Sequence, residues 1–114
     1  VIRPSLVPEV ASRFRALSDP SRLALLSALM SGEKTVGELV TLTGRSQPAV
    51  SQGLALLIRS RLVGVRREGR LRVHRIVDPS IVRVCETVCA ALVDEVEALA
   101  SSLAREGVSA RRKE

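Results

Sequence analysis

The sequence predicts a small, mainly α-helical domain of the α+β class, with about five helices and a single β-hairpin placed between the fourth helix and the last. Apolar residues recur at helical spacing through most of the 114 residues, and the period falls to two only between Leu62 and Ile76. Proline or glycine marks nearly every junction. Charge is as uneven as period. Residues 45–75 hold eight arginines against one acid, Glu68, a local +7, whereas the remainder has ten basic and eleven acidic groups.

Residues 1–7 read as a flexible arm, 8–106 as the folded domain and 107–114 as a flexible basic tail. From Pro8, the spacing of Val10, Phe14 and Leu17 predicts a short first helix ending near Ser18. Asp19-Pro20 is an N-cap followed by a first-turn proline, and opens a second helix with Leu23, Leu26, Leu29 and Met30 toward a core. Gly32 stops it. Thr35-Val-Gly-Glu38 is a capping box that starts a helix of barely two turns, closed by Gly44. Ser46 caps a longer helix that buries Val50, Leu54, Leu57 and Ile58.

Val63 and Val65, then Leu71 and Val73, alternate with polar or glycine positions, and Arg67-Glu68-Gly69 supplies the turn of a hairpin, or wing. Asp78-Pro79 repeats the cap-plus-proline start. In the last helix Ile81, Cys85, Val88, Leu92, Val96, Leu99 and Leu103 step by three or four, a coiled-coil type of seam.

Composition removes several function classes. A chain this short is one domain whose modest core would gain from a second copy. The charge-free run Leu23–Gly32 falls far short of the ~20 residues of a membrane span. No basic leader with an apolar core opens the sequence, and two cysteines make no disulfide framework, so a reducing cytoplasm is expected. An enzyme is not expected, for want of a Ser/His/Asp set, a glycine-rich phosphate loop or paired carboxylates. Phe14 is the sole aromatic residue. Single-strand binders stack bases on aromatic rings at roughly 1 to 3 kcal/mol each, so duplex DNA is the better match for the basic stretch.

A helix that enters the major groove needs small and amide side chains in its first turns. Ser46, Gln47, Pro48, Ala49, Ser51 and Gln52 meet that need: either glutamine can pair with adenine, and Ser51 with a base edge or a phosphate. Arg66, Arg67, Arg70 and Arg72 on the hairpin, with Arg45 before the helix and Arg59 at its end, are candidate phosphate or minor-groove contacts. The bland alternatives are solvated faces of an amphipathic helix and an ordinary hairpin. His74, the one histidine, is either structural or a phosphate contact.

Four blocks, Phe14-Arg-Ala-Leu-Ser-Asp-Pro-Ser-Arg-Leu23, Val36-Gly-Glu-Leu39, Ser46-Gln-Pro-Ala-Val-Ser-Gln52 and Arg67-Glu-Gly-Arg70, together resemble the ArsR/SmtB family of bacterial winged helix-turn-helix repressors, over about residues 8–95. The resemblance implies a homodimer held by the first and last helices, through Val10, Phe14, Ile81, Cys85, Val88, Leu92, Val96 and Leu99. It also implies an imperfect inverted repeat at a promoter, released on inducer binding. Gly53 departs from the pattern: relatives often carry His there, and its loss removes a phosphate donor.

Two metal sites familiar in such proteins are not reproduced. Lys34-Thr-Val-Gly-Glu38 stands where a Cys-x-Cys would be, and the positions of an Asp, two His and a Glu fall near Asp78, Ser80, Ala91 and Asp94. Cys85 and Cys89 remain, spaced i, i+4. They are either small buried hydrophobes or a thiolate site for As(III), another thiophilic ion or a redox signal, completed by the partner's cysteines. Glu86, Asp94, Glu95 and Glu97 read as a solvated face. The competing functional class is a protein-interaction module, or an effector-independent regulator, whose last helix pairs with another protein.

Overall fold

The computed structural model describes the backbone of residues 1–113 and the side chains of residues 1–107. A 3-10 turn, Pro4–Leu6, leads into α1 (Val7–Leu17), α2 (Pro20–Met30), β1 (Lys34–Thr35), α3 (Val36–Thr43), α4 (Gln47–Arg59), β2 (Val63–Glu68), β3 (Leu71–Ile76) and α5 (Pro79–Lys113). The chain divides into a compact unit, Val1–Pro79, and the helix from Ser80 onward. The arm expected at 1–7 includes the 3-10 turn and the first residue of α1. The basic side chains expected in the tail, Arg111, Arg112 and Lys113, lie outside the described residues.

The local signals act as their chemistry dictates. Asp19 accepts the Arg22 amide at 2.9 Å and caps α2. The Arg22 side chain turns back to donate to the carbonyls of Ala16 at 2.7 Å and Arg15 at 3.1 Å, satisfying the open end of α1. Both halves of the capping box form, Glu38 amide to Thr35 hydroxyl at 3.2 Å and Thr35 amide to Glu38 carboxylate at 3.0 Å. Those bonds hold the Glu38 carboxyl below its usual range.

The core consists of aliphatic residues in which α2, α3 and α4 meet the sheet: Leu25, Leu26 and Leu29, then Leu39, then Val50, Leu54 and Leu57, closed by Leu62 and Val63. Leu23 and Met30, expected inside, are exposed, and Leu25 takes their place. With apolar residues at Leu23, Ala24, Leu25, Leu26, Ala28, Leu29 and Met30, α2 is apolar on nearly every side, so spacing alone could not choose its buried face. Ile58 is only half-buried.

The hairpin gains a third strand. β1 pairs with β3 and the order is β1-β3-β2, all antiparallel. Strand pairing runs on to Glu68 opposite Leu71, so the turn is the two residues Gly69-Arg70, which starts two residues later than the expected Arg67-Glu68-Gly69. Gly69 has φ +61°, the left-handed value that such a turn assigns to glycine. Val63 is buried, whereas Val65 and Leu71, farther out on the hairpin, are exposed.

Two residues of this unit are under constraint. Arg61, just past α4, has φ +61° although it is not glycine. The amide of Arg61 donates to the Ile58 carbonyl and that of Leu62 to the Leu57 carbonyl, both at 3.0 Å, a helix stop in which glycine is usual. Arg61→Gly is expected to stabilise the fold by about 1 kcal/mol, since a left-handed non-glycine residue costs about 1 to 2 kcal/mol and glycine returns part of that through unfolded-state entropy. Denaturant midpoints at constant m-value check this.

His74 is 4% exposed in the central strand, with Lys34 on one side and Val65 on the other. The expected alternative of a phosphate contact is therefore corrected: the imidazole is structural. Its Nδ1 has no hydrogen-bond partner among the described residues. Burial above all, with Arg72 adding to it, pushes its pKa below 6.5, against a hydrogen bond with the Lys34 backbone that acts in the other direction. The unfolded chain therefore binds a proton before the folded one does. Stability should fall as pH drops below about 6.5 and level off beneath the lowered folded value. Thermal unfolding from pH 7.5 to 5 should show that decline, and it should be smaller in His74→Gln.

Candidate nucleic-acid interface

α4 begins at a well-formed cap: Ser46 Oγ accepts the Ala49 amide at 3.3 Å, and Pro48 occupies the first turn. With Val50, Leu54 and Leu57 turned inward, the 3.6-residue period puts Gln47, Pro48, Ser51, Gln52, Ala55 and Arg59 on the exposed side. Ser46 is exposed as well, and Ala49 lies at the margin. The residues singled out from sequence thus share one polar, non-acidic face. Arg45 is placed differently from these residues. It is half-buried, its Nε is enclosed with no partner among the described residues, and its amide donates to Thr43 Oγ1 at 3.4 Å. That amide bond helps to fix the turn that precedes the cap.

On the hairpin, the register separates arginines that sequence could only group. Arg67 lies directly opposite Arg72, and Arg70 is in the turn beyond them. All three are exposed and form no ion pair among the described residues. Like charges placed opposite each other across two strands repel and destabilise the pair, which makes this end of the wing a place that favours an anion. Arg66 is different. Its guanidinium donates to Glu33 at 2.5 Å and to Glu68 at 2.8 Å, and these bonds lower the Glu33 pKa while raising that of Arg66. Arg66, expected as a phosphate contact, is thus already paired with two carboxylates. Arg66 faces Val73 of the central strand and reaches an acid just before β1, so it braces all three strands. Sequence counted Glu33 outside the basic stretch because 33 positions separate the partners.

Gly53 lies against the packing of α4 on α2. A Cβ built there would lie 2.7 Å from Leu25 Cδ1 and 3.7 Å from Arg22 Cγ. The position looks toward α2, so a side chain would begin in the helix packing.

In α5, Val88, Leu92, Val96, Leu99 and Leu103 are all at least half exposed, as is Phe14 in α1. Val10 and Cys85 are half-buried and Cys89 is exposed. Ile81, placed with this set from its spacing, is 6% exposed in the single chain and has almost no surface to offer a second copy. Burial pushes the Cys85 thiol up from its ordinary pKa. Among the described residues, no three His, Cys, Asp or Glu groups converge as metal ligands, and no helix is long and apolar enough to cross a membrane.

A short capped helix, a turn, a second helix with a polar face and a three-stranded sheet with a basic hairpin define the winged helix-turn-helix class. The model of the family described as bacterial regulatory protein, arsR family, matches residues 19–65. A probable mercury resistance operon repressor from Streptomyces lividans is 40% identical over 79 residues, 68% of this chain and 63% of that one. A biofilm growth-associated repressor from Agrobacterium fabrum is 35% identical over 82 residues, 72% of this chain and 70% of that one. Among solved structures, a Mycobacterium bovis fragment described as a homodimeric winged helix-turn-helix DNA-binding domain superposes with a TM-score of 0.74 at 31% identity, covering 82% of this chain and 86% of the fragment. The chain belongs to the arsR family of bacterial regulatory proteins, although it spans just under two thirds of the Streptomyces relative.

Proposed function

We propose that this chain is a homodimeric, sequence-specific regulator of transcription that binds double-stranded DNA and acts as a repressor. The observation that carries the proposal is the facing pair Arg67 and Arg72, with Arg70 beyond, on the same unit as an acid-free helix face presenting Gln47, Ser51 and Gln52. The hairpin arginines take phosphates and the α4 side chains read base edges. A second copy joins through the exposed apolar residues of α5 and Phe14, surfaces that the resemblance assigns to dimerisation and that the single chain leaves open. Two heads related by a two-fold axis read an imperfect inverted repeat with half-sites about 34 Å apart, one turn of DNA.

A thiol signal releases the operator in this proposal. Cys85 and Cys89 lie one turn apart on α5, and the second copy supplies further thiolates to As(III) or another thiophilic ion. The Streptomyces relative's name, tied to mercury resistance, points to the same soft class of ion. Because burial favours the protonated Cys85, capture expels its proton and strengthens as pH rises toward the thiol range.

Titration of duplexes at increasing salt tests the DNA reading, with mass measured in solution alongside. The expected complex contains two chains, and Arg67→Ala or Arg72→Ala should each make the log-log salt slope shallower by about 0.9, while Arg66→Ala changes it little. A monomer, or a slope near zero in the native chain, contradicts the proposal.

Arsenite should release the bound duplex from the native protein and not from Cys85→Ser/Cys89→Ser. Equal release from both proteins would remove the thiols from the account and leave the DNA reading standing.

A further inference from the structure

At Gly53, α4 packs against Leu25 of α2 with no room for a Cβ. Leu25, whose Cδ1 occupies the place next to the missing Cβ, is completely buried, so it cannot swing out into solvent. Any residue larger than glycine would have to widen a 2.7 Å separation to the roughly 3.5 Å of ordinary carbon contact, a displacement of about 0.8 Å. Good hydrogen bonds span only about 0.5 Å in length. A displacement of that size, taken up by α4 moving away from α2, exceeds what base contacts tolerate. Gln52, next to Gly53, lines the cleft of about 390 Å³ between α2 and α4 and also stands on the exposed face. A change at the packing contact passes directly to a reading side chain.

We propose that the Gly53–Leu25 contact is the seat that sets the height and tilt of α4, which makes Gly53 a positioning residue for base discrimination. This rests on the DNA-reading proposal above and assigns to that site the determinant of its selectivity. The arginines proposed to take phosphates, Arg67, Arg70 and Arg72, are on the hairpin and outside this contact.

A double-mutant cycle tests it, using Gly53→Ala, which adds a methyl group, and Leu25→Val, which withdraws the δ-methyl carbons by one carbon length. The duplex preferred by the native protein is first selected from a random library, and affinity for it is compared with affinity for a scrambled duplex. Thermal midpoint and salt slope are measured on each variant. Each single variant should lose about tenfold or more of that discrimination with an unchanged salt slope, and the volume-conserving double variant should recover most of it. Should Gly53→Ala fail to fold, Leu25→Val and the double variant still carry the comparison. Native discrimination in a folded single variant, or additive loss in the double, overturns the seat. Failure of the native protein to bind any duplex instead overturns the DNA reading on which the seat depends.

Discussion

α4 presses Val50, Leu54 and Leu57 onto a leucine layer formed by Leu25, Leu26 and Leu29 of α2, with one point at which a glycine lets the helices close to the limit of van der Waals contact. Fully burying a leucine or valine contributes roughly 1.5 to 3 kcal/mol, so this layer far outweighs the exposed ion pairs around it. It also fixes direction. Once three residues of α4 are committed inward, helical geometry leaves Gln47, Ser51 and Gln52 no orientation except outward, and the Ser46 cap determines where that face begins.

The hairpin shows two uses of the same side chain. Arg66 is neutralised by Glu33 and Glu68 and ties the outer strand across β3 to the segment before β1. Arg67 and Arg72 face one another with no carboxylate paired to either among the described residues. Adjacent positions of one strand are thus divided between holding the sheet together and projecting a field, and alternation along the strand makes that division possible. The +7 of this stretch overstates the charge available to a partner and understates how sharply it is focused toward the turn.

Caps and turns were legible because each is a local chemical sentence: Asp19 with Pro20, Thr35 with Glu38, and Ser46 needed only three or four neighbouring residues to declare themselves. The polar face of α4 followed from period alone. The buried side of α2 did not, since its leucines and alanines surround the helix and only the position of α4 selects among them. β1 was missed because two residues carry no detectable alternation. The role of Arg66 depended on an acid far away in sequence, and the meaning of Gly53 on an opposing side chain. In each missed case the deciding partner lay beyond the reach of a local pattern.

The left-handed Arg61 joins α4 to β2 at a place where a residue without a side chain would sit with less effort. Keeping a guanidinium there concedes some resistance to unfolding in return for one more positive group at the hinge of helix and hairpin. Thermal robustness and electrostatic reach are therefore in opposition at a single backbone position, and a chain selected only for durability would be expected to drift away from arginine at that site.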